Sequence, residues 1–265
     1  MRERHQVYRP VPGLENKRLA AANPYGLLTE EQARTDGYGI TGEAFEKNSQ
    51  GVPSDPNKGI VQRLSKGKVR AWEKDLSGSR TSYTKVTAPS GSVLQIPKSG
   101  CVRLANSQFY GEKWDALYFV VQDLANQVIA KTEESRSVRA AVQRWSKCMR
   151  AHGHPGLTSL QDPRRQITND LKAAGDDTTK WKTLGSHEIS LAQQDYTCER
   201  ASKVHETVNI AQSVAEHQIL TPRWAAAVEQ FRELRKKADR RVSLDRDGEA
   251  VVGSPGESNP GSPIE

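Results

Sequence analysis

The sequence predicts a mainly α protein: a helical bundle with a long C-terminal αα-hairpin, an irregular N-terminal third holding a small β-hairpin, and a disordered tail. Three observations lead there. From residue 101 onward, apolar residues return every three or four positions, the period of a helix with one buried face. Before residue 101 the text is rich in Gly, Pro, Ser and Lys, with little sustained period. At the end, Gly, Pro, Ser and Glu dominate and offer too little apolar surface to order a chain. The 265 residues therefore divide into 1–100, 101–245 and 246–265.

Taken in order, the first helix signal is Thr29-Glu-Glu-Gln, in which Thr29 accepts from exposed amides while Glu30 and Glu31 face the positive helix end. Gly37 stops it. Residues 48–80 are polar, with Val61, Leu64, Val69, Trp72 and Leu76 as loose anchors, and read as an insert or mobile loop. Lys85 to Ala88 and Ser92 to Pro97 flank Pro89-Ser90-Gly91 as a β-hairpin. Val102 to Tyr110 is a short helix ended by Gly111. Trp114, Leu117, Val121, Leu124 and Val128 mark a second. Val138, Ala141, Val142, Trp145 and Met149 mark a third, which stops at Gly153 and Pro155. Asp162-Pro163 reads as a cap and first-turn proline for a helix through Leu171. The longest helix is expected to start at Ser186. Its seam runs through Ile189, Ala192, Tyr196, Ala201, Val204, Val208, Ala211 and Ala215. Thr221-Pro222 breaks and restarts it, and Trp224, Val228, Phe231, Leu234 and Ala238 continue a stripe. Two long helices joined by a tight turn make the αα-hairpin.

Composition narrows the partners. A formal charge of +7 favours anionic partners, but 39 basic residues stand interspersed among 32 acidic ones. Without zinc-finger spacing, an RNA-binding signature or a long basic run, nucleic acid is not the expected ligand. No apolar run approaches the ~18 residues of a membrane span. The start, Met1-Arg-Glu-Arg-His-Gln, has no apolar stretch of the kind a signal peptide carries.

No nucleophile elbow, Walker loop, dinucleotide fingerprint or His-Glu-x-x-His helix is present, so no catalytic or cofactor site is expected. Glu133-Glu134 and Asp176-Asp177 read as solvated pairs. His152-x-His154 beside Cys148 has metal-like composition, but His154 falls in a Gly/Pro turn, and no metal site is assigned. His152 reads as a cation closing a helix C-terminus. His187, His205 and His217 read as single histidines on solvated faces. Trp114, Trp145 and Trp224 are expected in the core, Trp72 and Trp181 at exposed contacts.

The three cysteines stand at 101, 148 and 198. Cys148 closes the third helix and Cys198 lies on the longest one, so two helices packed side by side would bring them within bonding reach. The expected bridge is Cys148–Cys198, with Cys101 left over. Disulfides persist outside the cytoplasm and are rare within it. The open alternative is three thiols in a cytoplasmic protein.

Four segments carry a resemblance: Trp145-Ser-Lys-Cys148-Met149-Arg-Ala-His-Gly153; Gly100-Cys101 before a helix ending Tyr110-Gly111; Asp195-Tyr-Thr-Cys198; and Tyr25-Gly26-Leu27 with Gly37-Tyr38-Gly39. Together the chain resembles uncharacterised secreted or lipoprotein-type proteins of Gram-positive bacteria. In these a Cys-Met pair near the mature N-terminus precedes a Gly-Cys, then a second Cys-Met and a Cys on a long helix. The first cysteine of that pattern is missing here, and Met1-Arg-Glu-Arg-His looks like the text that follows it. The resemblance implies an N-terminus cut at an internal Met, with a leader, an anchor and the partner of Cys101 upstream. It implies no reaction.

The expected function is that of a non-catalytic envelope or secreted protein that binds a partner, such as another envelope protein or a transporter component. The interaction surface would be the charged end of the hairpin: Arg232, Arg235, Lys236, Lys237, Arg240 and Arg241. Two rivals stand beside it. One is an enzyme whose site assembles only in three dimensions, and the other is a cytoplasmic anion- or nucleic-acid-binding protein.

Overall fold

The computed structural model describes residues 6–9, 23–50, 55–79 and 81–246. Among them are eleven helices and one two-stranded antiparallel sheet, as the fold class predicts. The helices are α1 Glu30–Thr35, α2 Ile40–Gln50, α3 Lys58–Gln62, α4 Lys66–Ser77, α5 Cys101–Tyr110, α6 Trp114–Glu133, α7 Arg136–Ala151, α8 Asp162–Ala174, α9 Thr178–Ala201, α10 Val204–Ile219 and α11 Pro222–Arg246. Strands β1 Tyr83–Thr87 and β2 Val93–Pro97 lie between α4 and α5. The tail expected from 246 falls, past Arg246, outside the described residues.

Local chemistry explains the element ends. Thr29 caps α1 reciprocally: its hydroxyl accepts from Gln32 N at 3.1 Å while Gln32 Oε1 accepts from Thr29 N at 3.0 Å. The hairpin closes where Ala88 N donates to Ser92 O at 2.8 Å and Gly91 N to Ala88 O at 2.9 Å. Its register pairs Thr87 with Val93 and Tyr83 with Pro97. At its base, Gly78 and Gly100 bring backbone against backbone. A Cβ at Gly78 would lie 2.1 Å from Ser99 O, and φ is +89° there and +112° at Gly100, so neither position accepts a side chain.

The core surrounds α7. Val138, Ala141, Trp145 and Met149 form its buried stripe, as the three-to-four spacing predicts. Ile167 of α8, Leu191 of α9, and Val204 and Val208 of α10 pack against it, with Tyr25 and Leu27 closing one side. Packed against α1, α2, α7, α8 and α10, α9 is the central element. A two-residue turn at 220–221 joins α10 to α11, and α6 is the principal neighbour of both.

Several expectations are corrected. The stretch read as an insert or loop carries α3, α4 and the end of α2. Trp72 of α4, expected exposed, is buried and its Nε1 donates to Val7 O at 3.1 Å. Trp181 is buried too, donating to Gly175 O at 2.7 Å and meeting Phe45 edge-on. Instead of starting at Ser186, α9 begins at Thr178, because the Asp177 carboxylate accepts from Thr179 N and Lys180 N. The long seam is not one helix: Lys203 adopts φ +56°, ψ +37° and separates α9 from α10. Asp162 lies inside α8 rather than capping it. Burial alone would raise its carboxyl, but Arg165 and donors on Thr158 and Ser159 hold it below the usual range. Of the three tryptophans expected in the core, Trp145 is fully buried, whereas Trp114 and Trp224 are half-buried.

Candidate functional site

Cys148 on the last turn of α7 and Cys198 near the end of α9 are joined, with their sulfurs 2.04 Å apart and Cα atoms 5.6 Å apart. Cys198 is fully buried and Cys148 half-buried, so the bridge presents one sulfur toward solvent. His152, one turn past Cys148, lies over it. Its Nδ1 is 3.8 Å from Cys148 Sγ, 3.9 Å from Cys198 Sγ and 2.8 Å from Cys148 O. The ring thus closes the α7 C-terminus, as expected. Gln194 Nε2, one turn earlier on α9 itself, donates to Cys198 Sγ at 3.6 Å. His154 is half-buried; burial, then His187 and His152, hold its imidazole below the ordinary value. Cys101, the first residue of α5, is half-buried and outside the disulfide.

The second constellation was missed by the sequence reading. Glu188, Asp195 and Glu199, spaced along one face of α9, are all fully buried. Each meets its own donors. Glu188 accepts from Ile40 N at 2.8 Å and Thr41 N at 2.9 Å, the open N-terminus of α2, and from the Thr41 hydroxyl. Asp195 accepts from Trp145 Nε1 at 2.7 Å and the Tyr38 hydroxyl at 2.9 Å. Glu199 accepts from Leu28 N at 3.3 Å and pairs with His205 Nε2 at 2.8 Å; its Oε1 meets no partner among the described residues. His205 is therefore not a solvated single histidine. Burial, reinforced by the charge of Glu199, pushes the Asp195 carboxyl up to about 7 against the lowering effect of Tyr38 and Trp145. Burial likewise carries the Tyr38 hydroxyl far above its usual range. Arg164 closes the group, its guanidinium 4.8 Å from the Tyr38 ring centre and 2.5 Å from Gly26 O. These carboxylates fasten residues 28–41 to the bundle. The signal was available: 188, 195 and 199 share a helix face with Leu191, Ala192 and Cys198.

The third feature is a cleft of about 450 Å³ between β2, α5 and α6. Leu94, Ile96, Pro97, Val102, Tyr118 and Phe119 supply its apolar walls. At its polar end Asp115 accepts from Arg103 at 3.1 Å and from Asn106 at 2.8 Å. Asp123 of α6 holds the hairpin tip, accepting from Ser90 N at 3.0 Å. From the cleft an aromatic row leads to α11: Trp114 stacks on Tyr110 at 3.9 Å and on Phe231 at 4.8 Å, with half-exposed Tyr118 beside them.

Beyond Phe231 lies the basic end of α11. Arg232, Arg235, Lys236, Lys237 and Arg240 are exposed, and the side chain of Arg241 lies outside the described residues. Within the helix Lys236 pairs with Glu233 at 2.8 Å and Arg232 with Glu229 at 3.6 Å. Among the described residues no helix is long and apolar enough to cross a membrane.

Fold and site together define a helical domain tied by one cystine, with a buried carboxylate face and an apolar cleft. Comparison with protein-family models, curated proteins and solved structures finds no match for the chain.

Proposed function

We propose that this is a non-catalytic binding or accessory protein working outside the cytoplasm, in the cell envelope or secreted, of the Gram-positive lipoprotein type its short motifs resemble. The observation that carries the reading is the Cys148–Cys198 bridge between two core helices, since such bonds persist where thiol reductants are scarce. The buried carboxylates have structural work, accepting from the backbone and side-chain donors that fasten residues 28–41 to the bundle, and the cleft's Asp115 is engaged by Arg103 and Asn106. The partner surface is the basic end of α11 with the aromatic row beside it, facing an envelope protein or transporter component.

The test is a thiol count on denatured protein purified from its own host with alkylation at lysis. One titratable thiol per chain before reduction and three after is the expected result. Three before reduction would place the chain among cytoplasmic proteins. Binding there that weakened steeply with salt would point to the anion- or nucleic-acid-binding alternative.

A further inference from the structure

We propose that, once its disulfide is opened, Cys148 Sγ, Cys198 Sγ and His152 Nδ1 form a binding site for a zinc-class divalent ion. The three ligand atoms all lie within 4.8 Å of one another. Two come from the C-terminal end of α7, where Cys148 on the last turn and His152 at the C-cap, four residues on, face the same side. The third comes from α9, which the core holds against that turn.

The geometry is close to what the ion requires. With metal–sulfur bonds of about 2.3 Å and metal–nitrogen bonds of about 2.0 Å, tetrahedral coordination separates sulfur from nitrogen by roughly 3.5 Å. His152 Nδ1 is already 3.8 and 3.9 Å from the two sulfurs, so the ring must shift by only a few tenths of an ångström. The sulfurs must part to roughly 3.8 Å by the same geometry. Side-chain rotation from Cα atoms 5.6 Å apart provides that separation without moving either helix.

Charge and access agree. Two thiolates and a neutral imidazole balance a divalent cation, so the occupied site carries no net charge in its half-buried position. A sulfur–nitrogen donor set selects a borderline-soft ion over magnesium or calcium. His152 is exposed and Cys148 half-buried, which leaves an entry path and room for a water as fourth ligand; Cys198 anchors the site from the dry side. Gln194 Nε2, 3.6 Å from Cys198 Sγ, supplies a donor to the thiolate behind it. To bind, Nδ1 releases its hold on Cys148 O and the ring carries its proton on Nε2. The carbonyl keeps a donor in His152 N at 3.2 Å.

The chemistry balances with an external dithiol. Two electrons and two protons pass from it to the cystine, giving two thiols here and a disulfide in the reductant. Binding the ion then releases both thiol protons to solvent. Cys148 and Cys198 therefore hold the two helices by a covalent bond in one redox state and, with His152, by a metal in the other. The inference does not depend on compartment, so the thiol count and the metal test below can fail separately.

Cobalt(II) is the probe. The full chain carrying Cys101→Ser, which removes the third thiol, is reduced with a phosphine, freed of it without air and titrated with cobalt. Saturation at one ion per chain is expected, with a sulfur-to-cobalt charge-transfer band and the visible bands of tetrahedral cobalt. Zinc should displace both signals, and the oxidised protein should show neither. His152→Ala should weaken binding by about tenfold or more, since even outer-shell partners carry that much. Reduced protein that keeps its helical circular dichroism yet gives no bands overturns the proposal. So do bands indifferent to His152→Ala, and so does a loss of helical signal on reduction that cobalt fails to restore.

Discussion

Helices α7 and α9 lie side by side in the core and share a disulfide, yet they are held there by opposite means. The buried face of α7 is Val138, Ala141, Trp145 and Met149, and it stays in place because apolar area leaves water. On α9, Leu191, Ala192 and Cys198 alternate with Glu188, Asp195 and Glu199, all in the interior. That face is stable because each carboxylate meets donors whose loss would leave two sides unsatisfied. Packing fixes where α7 sits; hydrogen bonding fixes which segment α9 accepts. Residues 28–41 present the matching backbone amides and the Tyr38 hydroxyl.

The contrast can be broken at three places. The largest effect should come from Trp145→Ala, which opens a large cavity beside α9 and takes the Nε1 donor from Asp195. A loss of about 5 kcal/mol in urea unfolding is expected, the upper end for such truncations. A loss near 1 kcal/mol would mean that α7 is not held by packing. Next is Glu188→Ala, which strands the amides of Ile40 and Thr41 at the start of α2 and should cost about 3 kcal/mol. Hydrogen exchange at those two amides should quicken, while Glu188→Gln, which keeps one accepting oxygen, should do less. Exchange unchanged in the Ala variant would show that the carboxylate does not fasten α2.

The smallest effect sharpens the comparison through pH. Asp195, raised from 3.8 to about 7, keeps in the fold a proton that the unfolded chain has already released. Its contribution favours the fold fully below about 3.8 and is lost as pH climbs to about 7, remaining absent above it. Asp195→Asn carries no titrating proton, so the wild-type curve should fall relative to the variant by about 3 kcal/mol between roughly pH 5 and 8. Urea midpoints across that range provide the check, and parallel curves would exclude a buried, proton-holding Asp195.

The same difference explains what could be read from the sequence. The α7 stripe, the Thr29 cap, the hairpin around Pro89-Ser90-Gly91 and the bridge between Cys148 and Cys198 rest on apolar period, local donors and turn residues, all visible along the chain. The α9 face was not legible because a rule that seeks apolar residues passes over buried acids. It therefore chose Ile189 and Tyr196, which are only half-buried, and began the helix at Ser186. Along the sequence Cys148 and His152 have only His154 nearby, whereas in space it is Cys198, across the helix interface, that lies beside them. Trp72 and Trp181 looked exposed because their neighbours in sequence are polar, whereas Val7 and Gly175 are their partners in space.

The glycine pair at 78 and 100 has its own bearing on how this surface varies. Because the backbone leaves and rejoins the bundle at one point, everything between is a closed excursion, pinned at its far end by Asp123. A hairpin of another length or composition would re-enter α5 at the same place, leaving the helices behind it undisturbed. Since that excursion is one wall of the cleft, the pocket can be reshaped by evolution or by grafting without redesigning the scaffold that carries it.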